Sequence, residues 1–223
     1  MTDLKIRGLY KKFKDKNIFQ DFNIDFIDEN INCIIGESGI GKSTLLNMIS
    51  GLENIDSGKI IGVNKDDISY IFQESRLVPW LTVKNNIELF IYDYYTKENA
   101  ESEINKIFKL LNISGIENEY PEKLSGGMKQ RVNIARALLK PSKMVLMDEP
   151  FKSLDYKTKY SIMYELSNIF KNEKRIVIFV THDVDEAIFL ADNIYVFGGR
   201  PLKIKGRFIG DLKERKNEII NLI

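Results

Sequence analysis

Phe22, Ile24 and Phe26 alternate with polar residues, the period-two pattern of a strand with one buried face. Cys33-Ile34-Ile35 is a short apolar run that stops at Gly36, after which Leu45, Leu46, Met48 and Ile49 fall at helical spacing. This order predicts strand, glycine loop, helix. Residues 59–72 read as short strands separated by a polar turn at Gly62–Asp67. From about 81 to 140 the character changes, with helical patterns over Glu98–Leu111 and Met128–Leu139 and no strong strand signal between them. Strand signals return at Met144–Met147, Ile176–Val180 and Ile194–Phe197, separated by helices at about 157–172 and 183–190. A short helical tail is expected at about 211–223. Strands that alternate with helices predict an α/β fold, a mainly parallel sheet covered on both faces, here carrying a helical insertion.

Composition narrows the class. At 223 residues the chain can bury one good core and a smaller satellite subdomain. Hydrophobic residues at 43% against 29% charged are the balance of a soluble globular protein. With 33 basic against 32 acidic residues, the electrostatic case for binding nucleic acid disappears. The longest apolar runs, Ile176–Val180 and Ala187–Ala191, fall far short of the roughly 20 residues that span a bilayer. The first residues, Met-Thr-Asp-Leu-Lys-Ile-Arg, carry no apolar signal segment, which predicts a protein on the cytosolic side. A single cysteine, Cys33, excludes an internal disulfide and a multi-thiolate zinc site, and there is only one histidine. Any metal is therefore expected to be bound through oxygen.

Three segments carry chemistry. Gly36-Glu37-Ser38-Gly39-Ile40-Gly41-Lys42-Ser43-Thr44 fits the P-loop pattern G-x-x-x-x-G-K-[ST] between a strand and a helix. Glycines let backbone N–H groups curl around phosphate oxygens, and the following helix points its positive end at them. Lys42 supplies a point charge for the β- and γ-phosphates, and the Ser43 hydroxyl can coordinate Mg²⁺. Met144-Val145-Leu146-Met147 reads as a buried parallel strand whose carboxyl end presents Asp148 and Glu149, where α/β sheets bind ligands. Asp148 suits an outer ligand of the Mg²⁺, and Glu149 is placed to polarise an attacking water. Leu124-Ser125-Gly126-Gly127 opens a helix and makes a second potential anion site. Asn64-Lys65-Asp66-Asp67 matches a guanine-reading element but lies too close to the P-loop, so it reads as a turn and ATP is the expected nucleotide.

With these three segments in this order, the chain resembles the ATP-binding subunits of ABC transporters. The resemblance implies a P-loop ATPase core with an N-terminal antiparallel β subdomain and a helical subdomain. It makes residues 1–223 one domain, with about 1–80 and 141–223 as the core and about 81–140 as the helical signature part. Gln73 matches the Q-loop glutamine and the resemblance adds it to the metal ligands. Ser153-Leu154-Asp155 matches the D-loop, His182 the switch histidine, and Phe13 the aromatic that stacks on adenine. Lys42, Glu149 and His182 are then the catalytic set. Phe13, the whole run Gly36–Thr44 and Gln73 would hold ATP, while Ser125, Gly126, Gly127 and Asp155 would serve the ATP of a second copy in a head-to-tail dimer. Phe72-Gln73-Glu74-Ser75-Arg76-Leu77-Val78-Pro79-Trp80 resembles importers of the nitrate/sulfonate/taurine type, with Trp80 either in a groove for the permease or a core aromatic at a turn. Glu37 and Lys152 depart from the usual pattern of that group. The implied partners are integral-membrane permease subunits and, indirectly, an extracytoplasmic solute-binding protein. The implied location is peripheral, on the cytoplasmic face of a bacterial membrane. Alternatives are the ATPase of an exporter or lipoprotein-releasing system, and a soluble ABC protein outside transport.

Overall fold

The computed structural model describes residues 4–62, 64–91 and 93–223. Its strands are β1 (Leu4–Phe13), β2 (Lys16–Phe26), β3 (Ile31–Gly36), β4 (Ser57–Ile61), β5 (Ile68–Ile71), β6 (Met144–Asp148), β7 (Ile176–Thr181), β8 (Asn193–Gly198) and β9 (Lys203–Ile209). Its helices are α1 (Lys42–Ser50), α2 (Val83–Glu88), α3 (Lys97–Leu110), α4 (Gly126–Leu139), α5 (Tyr156–Glu173), α6 (Val184–Leu190) and α7 (Lys216–Leu222). A three-stranded antiparallel sheet runs β2-β1-β4, and a six-stranded sheet runs β5-β6-β7-β3-β8-β9. All neighbours in the larger sheet are parallel except β9, which is antiparallel to β8.

The central strands are apolar throughout because both of their faces are covered. Cys33, Ile35, Val145, Met147, Val177 and Phe179 pack into one buried cluster with Ile87, Phe108, Val132 and Leu166 of the helices. Their neighbours Ile34, Leu146, Ile178 and Val180 point the other way, into a cluster with Leu45 and Leu46 of α1 and with Phe22, Ile24 and Phe26 of β2. The larger sheet is thus the middle layer, between helices on one face and α1 with the small sheet on the other.

Several elements differ from the sequence expectation. The strands within 59–72 exist, but β4 enters the small sheet and β5 the large one, with a single 3₁₀ turn at Lys65–Asp67 between them. Asn64 caps that turn by accepting from the Asp66 N–H, as the turn reading requires. β1 escaped notice because register shifts between Ile6 and Leu9 break its alternation. β9 escaped because only Phe208 of its seven residues is buried. The C-terminal tail is helical only from Lys216, since 212–215 form a turn. Trp80 is 76% exposed in the turn before α2, which removes it from the core.

Candidate nucleotide site

β6, β7 and β3 lie side by side, with Asp148 opposite Val180 and Ile35 opposite Thr181. Register alone therefore brings Glu149, His182 and the P-loop out of the same carboxyl edge of the sheet. The loop from Gly36 to Gly41 fits only without side chains at its ends. A Cβ on Gly36 would sit 2.3 Å from the Phe197 carbonyl oxygen, and Gly41 combines φ +117° with a Cβ position 2.5 Å from Ile18. Lys42 opens α1 and donates to the carbonyl oxygens of Gly36 and Glu37, at 2.7 Å each. It is buried, and that burial pulls its pKa down, while the carboxylates of Glu149 and Asp148 oppose the shift.

Ser43 Oγ donates to Asp148 Oδ1 at 3.0 Å. Burial pushes the Asp148 carboxyl up, with the Ser43 hydrogen bond working against it. Glu149 takes a left-handed backbone at φ +44°, a conformation that costs about 1–3 kcal/mol outside glycine and gathers at functional sites. Its N–H donates to Val180 O at 2.9 Å, which ties the turn to β7. Its Oε2 accepts from Gln73 Nε2 at 3.3 Å and from Lys152 at 2.9 Å, and its Oε1 lies 3.4 Å from His182 Nδ1. Burial alone would raise this carboxyl, but Lys152 and His182 outweigh it and hold it low. Among the described residues no group of three or more His, Cys, Asp or Glu could hold a metal unaided. A hydroxyl and a carboxylate beside a phosphate loop are hard oxygen donors of the kind that would suit Mg²⁺.

The structure thus gathers Lys42, Ser43, Asp148, Glu149, Gln73 and His182 into one group. Ser125, Gly126, Gly127 and Asp155 form another. Ser125 caps α4 by accepting from the Met128 N–H at 3.2 Å, and a Cβ on Gly127 would stand 3.2 Å from Ser153 O. Asp155 caps α5, accepting from the Thr158 N–H at 3.0 Å. Phe13, 42% exposed as a residue, ends β1 with the Lys11 ammonium 4.8 Å from its ring centroid.

Sequence reasoning missed the polar face of α4. Gln130 Nε2 donates to Pro150 O at 3.0 Å, Asn133 Nδ2 to Phe72 O at 2.9 Å, and Arg136 to the carbonyls of Ser75 and Arg76. These bonds hold the segments that carry Gln73 and Glu149 against the signature helix. Burial lowers the Arg136 guanidinium to about 10. The only signal was that Gln130 and Asn133 fall within the run Met128–Leu139, whose helical pattern implies a buried face. A cleft of about 410 Å³ opens beside Gly39 and Ile40, lined also by Lys16, Gln20 and Arg200. A larger cavity of about 990 Å³ lies among Asp67, Lys143 and Arg175 at the amino ends of β6 and β7, the edge opposite the chemistry.

A glycine loop that ends β3 and opens α1, facing an acidic strand end, defines a P-loop nucleoside triphosphatase. The family model described as ABC transporter matches residues 19–152, and the chain belongs to that family as an ATPase. It is 41% identical over 196 residues to the aliphatic sulfonates import ATP-binding protein SsuB of Bacillus cereus, covering 84% of this chain and 76% of the relative. It is 37% identical over 187 residues to the formylaminopyrimidine import ATP-binding protein ThiZ of Halalkalibacterium halodurans, covering 83% and 75%. Among solved structures it resembles the dimeric ATP-binding cassette MJ0796 in a post-hydrolysis state bound to ADP and Pi. That match has a TM-score of 0.83 and 28% identity, and covers 92% of this chain and 98% of the other. Among the described residues no helix is long and apolar enough to cross a membrane.

Proposed function

We propose that this chain is the ATP-hydrolysing subunit of an importer of aliphatic sulfonates, working as a homodimer on a permease at the cytoplasmic face of the membrane. The observation that carries the reading is the placement of Glu149, at the end of β6 between Gln73 and His182 and beside the Ser43–Asp148 pair. The backbone of Gly36–Thr44 and Lys42 hold the phosphates, and the ring of Phe13 takes the adenine. Ser43, Gln73 and Asp148 would hold Mg²⁺, which when bound would supply positive charge to offset that of the phosphates. Glu149, kept ionised by its neighbours, accepts a hydrogen bond from the attacking water, orients it, and takes its proton as the water adds to the γ-phosphorus and the bond to the β-phosphate oxygen breaks. His182 donates to the γ-phosphate, where charge develops. Ser125, Gly126, Gly127 and Asp155 serve the nucleotide of the partner subunit. Residues 81–140 act as a helical unit within one domain, and the exposed Leu89 and Phe90 of that unit, with Trp80 in the turn just before it, receive the permease. An extracytoplasmic binding protein delivers the solute.

The test is reconstitution of the chain with its permease and binding protein in proteoliposomes. Alkanesulfonate added on the binding-protein side should stimulate phosphate release by the wild type and leave Glu149→Gln silent. Stimulation by nitrate or a pyrimidine in place of sulfonates would overturn the solute, and turnover in Glu149→Gln would overturn the site.

A further inference from the structure

A partly buried charge cluster joins the start of α5 to the segment that carries His182. Lys159 Nζ donates to Asp183 Oδ2 at 3.0 Å and to Glu186 Oε1 at 2.8 Å. Glu186 Oε2 accepts from Thr181 Oγ1 at 2.6 Å, and that hydroxyl accepts from the Asp183 N–H at 3.0 Å. Asp183 Oδ1 accepts from the amides of Asp185 and Glu186. Thr181 and Asp183 flank His182, so both neighbours of that histidine are fixed by bonds that lead back to Lys159. The His182 side chain itself is 56% exposed, and its orientation depends on this backbone. At its main chain, Lys159 donates its N–H to Asp155 O at 2.8 Å, next to the Asp155 cap of the same turn. That bond is the first i→i−4 bond of α5, so Lys159 stands one turn after Asp155, and its side chain ties this turn to the His182 segment.

The Lys159 side chain is only 14% exposed and that of Glu186 7%. Buried ion pairs add little net stability over apolar packing of the same volume, because desolvation offsets attraction. They do fix one geometry, since an ammonium between two carboxylates tolerates little displacement. We infer that Lys159 is a positioning residue that locks the Ser153–Asp155 segment to His182, so that the contact to the partner's nucleotide and the γ-phosphate contact of the same chain move as one body. This rests on the roles given above to His182 and Asp155.

Lys159→Met removes the charge and keeps the length, but strands the Glu186 carboxylate in a buried site, so its Tm is expected to fall. Lys159→Met with Glu186→Gln removes the buried stranded charge, leaving Asp183, whose side chain is 33% exposed and still accepts from the Asp185 and Glu186 amides, and should restore Tm. In that double variant, reconstituted with the permease, kcat should remain down by about 10²-fold, the scale of a small misplacement of a reacting group. Its Kd for ATP should stay within about twofold of wild type, and Lys159→Arg should keep kcat within about threefold, because the charge and reach survive. Recovery of kcat together with Tm would make Lys159 merely structural and overturn the inference, as would a loss of ATP affinity equal to the loss of kcat. His182→Ala is measured alongside. Normal turnover in His182→Ala removes the site reading and this inference together, whereas lost turnover there with normal kcat in the double variant removes the inference alone.

Discussion

Lys42 is the only basic residue between Gly36 and Thr44, and its ammonium is turned inward onto the carbonyls of Gly36 and Glu37. Those acceptors hold the group at the mouth of the loop, already desolvated, where a phosphate oxygen can replace a carbonyl without further dehydration. A charge-assisted bond made in such surroundings contributes about 1.5–3 kcal/mol. Lys42→Ala should therefore weaken ATP binding by roughly 10- to 150-fold, measured by calorimetry at physiological salt. Wild-type affinity in this variant would place the phosphates elsewhere. The same segment shows what a contiguous motif reveals and what it hides. Residue types and spacing specify the loop and the acids at the end of β6. The left-handed turn at Glu149 is invisible in them, because it is imposed by the hydrogen bond to Val180 on a strand 31 residues further along the chain.

At the scale of elements, legibility follows burial. β3, β6, β7 and β8 are buried on both faces and announce themselves as apolar runs. β1, with its register shifts, and β9, an edge strand with one buried residue, do not. α4 was legible as a helix, but its buried Gln130 and Asn133 serve distant carbonyls that no local pattern can identify. The Lys159 network is hidden for the same reason: its partners are 24 and 27 residues away. The turn between β5 and α2 carries an element-scale prediction. Trp80 stands 76% exposed there, near Leu89 and Phe90 in sequence and exposed as they are. Trp80→Ala should change the stability of the isolated chain by no more than about 0.5 kcal/mol, as surface substitutions do. It should instead uncouple hydrolysis from transport, since a buried interface aromatic is worth about 2 kcal/mol or more. Unfolding curves of the isolated chain and sulfonate-stimulated turnover in proteoliposomes separate the two effects, and a Tm drop without uncoupling would return Trp80 to a structural role.

For the whole molecule, the decisive feature is that the two groups proposed to bind phosphate sit on different elements, the loop before α1 and the start of α4. Ser125 spends its side chain on capping α4 and Gly126 and Gly127 face Ser153, while the phosphate loop sits at the carboxyl end of β3. Under the proposed roles, two such surfaces on one chain would close when a second copy is turned to face the first, and a two-fold axis would make both sites equal. Hydrolysis would release that closure, so blocking hydrolysis should trap it. Glu149→Gln keeps the shape of the side chain and its bonding to Gln73 but removes the charge that orients the water. With Mg-ATP this variant should sediment at about 52 kDa, twice the 25.9 kDa chain, and without nucleotide at the mass of one chain. Adding Ser125→Arg should restore the single-chain mass at saturating ATP, because a guanidinium at the signature excludes the partner's loop sterically. That second substitution also removes the α4 cap, at a cost of about 1 kcal/mol. The control is therefore Ser125→Ala, which loses the same cap without adding bulk and should still dimerise, if more weakly. A Ser125→Arg variant that dimerises as well as its parent would mean that the nucleotide is not held between the loop of one chain and the signature of the other.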